Sequence, residues 1–128
     1  MIEINNTTKN RINAKKLTAV IEKFVQFYHL RKFDVSVAIV SDAVMKRMNE
    51  TYRRKSGPTD VLSFMGLNEI VIDYAQIKRQ AKELHKTPEK ELIFILVHGL
   101  LHLIGYDDRT EKTRLEMIGL GEAFLKKI

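Results

Sequence analysis

The sequence predicts an α+β protein: a single compact domain over residues 1–128, with a small mixed β-sheet of about four strands and about five helices. Three observations predict it. Short segments rich in β-branched residues alternate with stretches whose apolar residues recur at helical spacing. No internal repeat, low-complexity tract or Pro/Gly/Ser-rich linker divides the chain. Its 128 residues match one typical domain of ~100–200 residues.

Ile2 and Ile4 alternate with polar neighbours, which predicts a short first strand. From Ala14 to Leu30, residues Leu17, Val20, Ile21, Phe24, Val25 and Tyr28 fall on one helical face. The β-branched run from Asp34 to Val40 predicts a strand, and Ser41 is a good N-cap for a helix reaching about Tyr52, broken by Ser56-Gly57-Pro58. Val61 to Phe64 and Glu69 to Ile72 predict two more short strands, and an amphipathic helix follows from about Asp73 to His85. Thr87-Pro88 is an N-cap with proline at the first helical position, Glu89 and Glu91 suit the helix N-terminus, and Gly105 marks the stop. A last helix from about Thr110 to Lys127 carries Leu115, Ile118, Leu120, Phe124 and Leu125 and ends on two lysines that suit its dipole.

With 45% hydrophobic and 30% charged residues the chain is too apolar for disorder and too mixed for a membrane protein. The most apolar run, Leu92 to Ile104, is too short to span a bilayer and contains two histidines, so it reads as a buried helix. Twenty-two Lys and Arg against 16 Asp and Glu give a formal charge of +6, which favours polyanions such as RNA. The absence of cysteine excludes disulfides and thiolate metal sites. The first residues, Met1 to Asn6, lack the charged and apolar regions of a secretory signal, so a cytoplasmic location is expected.

The chemistry concentrates in His98-Gly99-Leu100-Leu101-His102-Leu103-Ile104-Gly105-Tyr106-Asp107-Asp108. Residues four apart share a helical face, so His98 and His102 can converge on one ion. Imidazole nitrogen ligates zinc and other first-row metals, and Gly105 lets the chain turn back so that Asp107 or Asp108 supplies a third ligand. Three ligands leave the open position that a catalytic metal such as zinc needs to activate water, so one metal ion per chain, zinc or another first-row metal, is expected. The plainer alternative is two core histidines bonded locally. An apolar helix argues against it, because unpaired polar groups there cost a few kcal/mol each. Glu91, two turns before His98, is a candidate supporting group or distant base, although its place at a helix N-terminus has a simpler reading in the dipole. His29 and His85 read as surface residues near helix ends.

A second constellation runs from Lys46 to Lys55. Lys46, Arg47, Arg53, Arg54 and Lys55 offer charge and planar forks for phosphate, while Tyr52 can stack on an unpaired base; these are candidate contacts to single-stranded RNA. Met45 and Met48 are expected on the buried side of that helix. The spacing H-x-x-x-H-x-x-G-x-x-D also resembles metzincin-type proteases, but Gly99 stands where their general-base glutamate follows the first histidine. No dinucleotide fingerprint, phosphate-loop signature or G-x-S-x-G elbow occurs.

The string H-G-L-L-H-L-I-G-Y-D-D resembles the H-G-x-L-H-L-x-G-Y-D-H signature of the YbeY endoribonucleases, or rRNA maturation factors. N-E-T-Y-R-R-K-S-G-P-T-D-V-L-S-F and N-E-I-V-I-D resemble two upstream segments of the same family, in the same order. The resemblance runs from Asn49 to Asp108 with short helices on either side, and so covers essentially the whole chain. It implies a zinc-dependent, single-strand-specific endoribonuclease acting in rRNA maturation, including the 3′ end of small-subunit rRNA, and in ribosome quality control, with the small ribosomal subunit as partner. The family's two helical histidine ligands fall on His98 and His102, its activity-linked arginine on Arg53, and its third ligand, a histidine, on Asp108. An anionic third ligand leaves zinc-bound water less acidic than three imidazoles do, so a higher pH optimum is expected.

In the implied mechanism Arg53 stabilises charge growing on the phosphoryl oxygens, and either metal-activated water or the RNA 2′-hydroxyl attacks. Two alternatives predict different outcomes. A non-catalytic ribosome-binding module with a structural metal unfolds on metal loss and cuts nothing. A metalloprotease cleaves peptides regardless of Arg53.

Overall fold

The computed structural model describes residues 1–53 and 59–128. The helix break expected at Ser56-Gly57-Pro58 and the candidate RNA contacts Arg54 and Lys55 lie outside the described residues.

Local sequence places each element. The alternating N-terminal segment forms β1 (Ile2–Asn6), and α1 (Ala14–Phe27) starts where the Asn13 side chain accepts from the Lys16 amide. β2 (Val35–Val40) leads into α2 (Asp42–Met48), capped by Ser41. The helix expected to reach Tyr52 widens after Met48 into a π-helical stretch, Asn49–Arg53. Such wider turns are often found at functional sites, and this one carries Tyr52 and Arg53. β3 (Val61–Phe64), a short 3₁₀ turn (Met65–Leu67) and β4 (Glu69–Asp73) follow. Asp73 then caps α3 (Tyr74–Glu83), Thr87 caps α4 (Pro88–Leu103) and Thr110 caps α5 (Glu111–Lys127).

The four strands form one mixed sheet in the order β1-β2-β4-β3. β1, β2 and β4 run parallel, and β3 pairs antiparallel with β4 at an edge. The period of two along β2 and β4 divides their side chains between the two faces. Val37, Ile39, Ile70 and Ile72 join the main core with Leu17, Phe24, Leu96 and Phe124 from the helices. Val40, Leu62 and Val71 pack with Met45 of α2 on the other face, and Met48 lies partly buried beside them as the sequence led one to expect. α2 is therefore separated from α4 by the sheet.

α4 is the central helix, packed against β3, β4, α1, α3 and α5. From Glu91 to Leu103 the residues that are not fully buried are Ile93, Phe94, His98 and His102. Phe94, His98 and His102 recur every four residues and form one stripe. In α5 the apolar face is narrower than the sequence predicts. Met117, Gly121 and Phe124 are buried, whereas Leu115 is 55% exposed because it sits off the stripe that meets α4. His29 and His85 each adopt positive φ two residues after the last residue of α1 or α3, where their amides close the helix end on the Gln26 and Lys82 carbonyls.

A candidate metal centre

The end of α4 brings its third polar group into place. Gly105 has φ +110°, its amide donates to the His102 carbonyl, and the Tyr106 amide donates to the Leu101 carbonyl. This pair of bonds is a Schellman stop, which needs a residue free to take positive φ and reverses the chain direction. The reversal carries Asp108 back over the stripe of histidines. Asp108 Oδ2 lies 3.2 Å from His98 Nε2 and 3.3 Å from His102 Nε2, and donor atoms of all three residues lie within 4.8 Å of one another. Asp107, the other aspartate considered from sequence, instead accepts from the Arg109 amide and guanidinium.

The three groups fit a metal ion. His102 Nδ1–H donates to the Tyr106 carbonyl at 3.0 Å, so a neutral His102 presents the lone pair of Nε2 to Asp108. A metal ion bound to both groups would satisfy that lone pair and the facing carboxylate oxygen together. Donor atoms placed tetrahedrally at ~2.0–2.1 Å from zinc are about 3.3 Å apart, which matches the two contacts to Asp108. Burial pushes the Asp108 carboxyl up, but the hydrogen bond from His98 and the charges of His102 and His98 outweigh it and hold the group below the ordinary carboxylate range. Asp108 is therefore ready to bind as the anion. His98 and His102 side chains are 14% and 24% exposed, enough for an ion and substrate to reach them.

His98, His102 and Asp108 line a cleft of about 840 Å³, which Tyr52, Arg53, Phe64 and Arg114 also line. Tyr52 is 64% exposed and meets the Phe64 ring edge-on, with centroids 5.3 Å apart. The basic stripe read from sequence divides here. Tyr52 and Arg53 reach the cleft, while Lys46 and Arg47 sit exposed on the last turn of α2 and do not line it. Glu91, weighed as a supporting group or as a plain helix-N-terminal acid, makes its contacts away from the histidines. Its buried carboxylate pairs with Lys86 Nζ at 2.8 Å and accepts from Gln80 Nε2 at 2.9 Å, tying α4 to α3 away from the histidines.

Sequence reasoning missed Ser63, Arg109 and Arg114. The Ser63 hydroxyl donates to the Gly99 carbonyl at 3.2 Å and so joins β3 to α4 beside His98. Arg109 and Arg114 line the cleft from the segment after Asp108; their nearness in sequence to that ligand was the available signal.

A family described as Endoribonuclease YbeY matches residues 3–128. The Persephonella marina protein named Endoribonuclease YbeY is 32% identical over 140 residues, covering 99% of this chain and 92% of that protein. The Thermodesulfovibrio yellowstonii protein of the same name is 38% identical over 128 residues, covering 81% of this chain and 80% of its own length. The solution structure of a Thermotoga maritima protein aligns with a TM-score of 0.71 at 30% identity, covering 98% of this chain and 87% of that one.

Proposed function

The chain belongs to the endoribonuclease YbeY family, and from that premise we propose that it is a zinc-dependent, single-strand-specific endoribonuclease. Its task is rRNA maturation, including the 3′ end of small-subunit rRNA, and ribosome quality control. It acts in the cytoplasm with the small ribosomal subunit as partner, as one domain over residues 1–128. The carrying observation is the convergence of His98, His102 and Asp108 on the floor of a cleft that Arg53 also lines.

In this reading His98, His102 and Asp108 hold one zinc ion, and the Tyr106 carbonyl keeps His102 turned toward it. Bound zinc supplies a Lewis acid for the phosphodiester and for the attacking oxygen. Arg53 is the catalytic residue, its guanidinium stabilising the charge that develops on the phosphoryl oxygens. Tyr52 stacks on an unpaired base beside the scissile bond. Arg54 and Lys55 hold the adjoining backbone, and Lys46 and Arg47 extend the basic surface beyond the cleft.

The test is cleavage of a labelled single-stranded RNA spanning a small-subunit rRNA 3′ end. Native protein should cut it, chelation should abolish cutting and zinc restore it, and His102→Ala should be inactive. Arg53→Ala should keep its zinc and lose about 10²–10³ in kcat. Equal cutting by all samples, or peptide cleavage indifferent to Arg53, contradicts the proposal. Unfolding on chelation with no RNA cut by native protein favours a binding module with a structural metal.

A further inference from the structure

The cleft has two walls with α4 between them. One wall comes from the π-helical stretch and β3 and presents Arg53 with the Tyr52–Phe64 aromatic edge. The other comes from the segment after α4 and the first turns of α5 and presents Arg109 and Arg114. α4 packs against both sides: Gly99 lies against Ile70 and Ser63 of the sheet, and Gly121 of α5 lies against Val97 and Phe94. Three arginines and three aspartates (Asp60, Asp107 and Asp108) line the cleft among the described residues, with no lysine or glutamate. A divalent ion on His98, His102 and Asp108 would turn this balanced set positive.

The partners of the two far-wall arginines are weakly held. Arg109 Nη2 is 3.4 Å from Asp107 with a side chain 85% exposed, and the half-exposed Arg114 has its Nη2 3.8 Å from the exposed Glu111. Exposed pairs of this kind contribute little, so each guanidinium can exchange its carboxylate for a phosphate at small cost.

We infer that Arg109 and Arg114 form a second phosphate-binding wall, so that single-stranded RNA crosses α4 over the His/Asp group, held by Arg53 on one side and by these two arginines on the other. The inference rests on the ribonuclease reading and adds the direction of the strand and the residues that hold its far side. Arg109 and Arg114 are binding residues for phosphates flanking the scissile one, with no part in the bond-breaking step.

The experiment measures binding of a short fluorescein-labelled 2′-O-methyl oligouridine to the zinc-reconstituted full chain across a series of salt concentrations. Each lost phosphate contact on a single strand lowers the slope of log K against log salt by about 0.7. Arg109→Gln with Arg114→Gln should therefore flatten the slope by about 1.4, and Arg114→Gln alone by about half as much. The paired lysine variant should keep the native slope, since it keeps the charge. Circular dichroism establishes that each variant is folded, and the single variant provides the reading if the double variant is not. An unchanged slope in folded glutamine variants, with native protein binding and cutting RNA, overturns the inference and leaves the ribonuclease reading standing. Native protein that neither binds nor cuts RNA overturns both.

Discussion

The Ser63 hydroxyl on β3 donates to the carbonyl of Gly99 on α4, the residue next to His98, across 3.2 Å. This bond sets the edge strand that lines the cleft against the helix that carries two of the three candidate ligands. The approach depends on glycine, because a Cβ on Gly99 would meet Ile70 Cγ2 and Ser63 Oγ at 3.2 Å.

Gly99→Val should therefore destabilise the fold by about 1–3 kcal/mol through overpacking between sheet and helix. Gly119, also in a helix, has nothing within 4 Å of its missing Cβ. Gly119→Ala should instead stabilise by about 0.5–1 kcal/mol through helix propensity alone. Urea melts of the two variants provide the comparison, and a Gly99→Val protein as stable as native would contradict the packing argument.

Gly105 should be required for the metal centre as well as the helix stop. At φ +110° an alanine is strained, at a cost of about 1–3 kcal/mol. Relaxation of that strain displaces the segment that returns Asp108 to the histidines. Gly105→Ala should therefore lower both the melting temperature and zinc affinity, the latter read by competition with a chromophoric chelator. Native zinc affinity in a destabilised variant would show that the stop and the site are independent.

The two neighbouring aspartates should separate cleanly in metal binding. Asp108→Ala should weaken zinc by more than about tenfold, since even supporting partners of a ligand contribute ~10–100-fold. Asp108→His should retain the ion. Asp107→Ala should leave affinity close to native, because that carboxylate is engaged by Arg109 and held below its ordinary pKa by the Arg109 amide and guanidinium. Equal losses at both positions would assign the third ligand wrongly.

Asp73 and Asp42 should give stability a pH dependence of their own. Asp73 is fully buried, and its Oδ1 accepts from the amides of Ala75 and Gln76. Burial first, and the hydrogen-bonded Asp42 second, push its carboxyl up to about 7. Hydrogen bonds from Arg79 hold Asp42 down at about 2. An unfolded chain releases the Asp73 proton near 3.8, so from there to about 7 the folded chain holds an extra proton and stability falls as pH rises. Asp42 acts in the opposite sense: its stabilisation is present above 3.8 and is lost as pH falls toward 2. Asp73→Asn keeps the capping acceptor and a donor toward Asp42. It should remove the upper slope, on the order of 1 kcal/mol per pH unit, and raise the urea midpoint at about pH 8 relative to native. A variant that keeps the native slope rules Asp73 out as its source.

The order and kind of the elements are legible in the sequence because their signals are local. Ser41, Asp73, Thr87 and Thr110 accept bonds from amides two or three residues away, and β-branched runs and helical periodicities act over one or two turns. The pairing of His98 with His102 is legible for the same reason, as is the stop at Gly105. The strand order β1-β2-β4-β3 is not, since it depends on contacts between distant segments. Nor is the placement of Asp108 rather than Asp107 beside the histidines, which turns on how the chain emerges from the Schellman stop. Glu91 lies two turns before His98 on the helix, but with α3 packed alongside, its carboxylate pairs with Lys86 and accepts a hydrogen bond from Gln80 instead. The continuous basic stripe divided because α2 covers the opposite face of the sheet from α4, leaving Tyr52 and Arg53 at the cleft and Lys46 and Arg47 outside it. Sequence alone determined the elements and the pair of histidines offered as candidate ligands, whose geometry one helix supplies. Only the tertiary structure brings Asp108 to the two histidines as the candidate third ligand and sets the cleft around them, because each needs groups from separate segments to meet at hydrogen-bond or van der Waals distance.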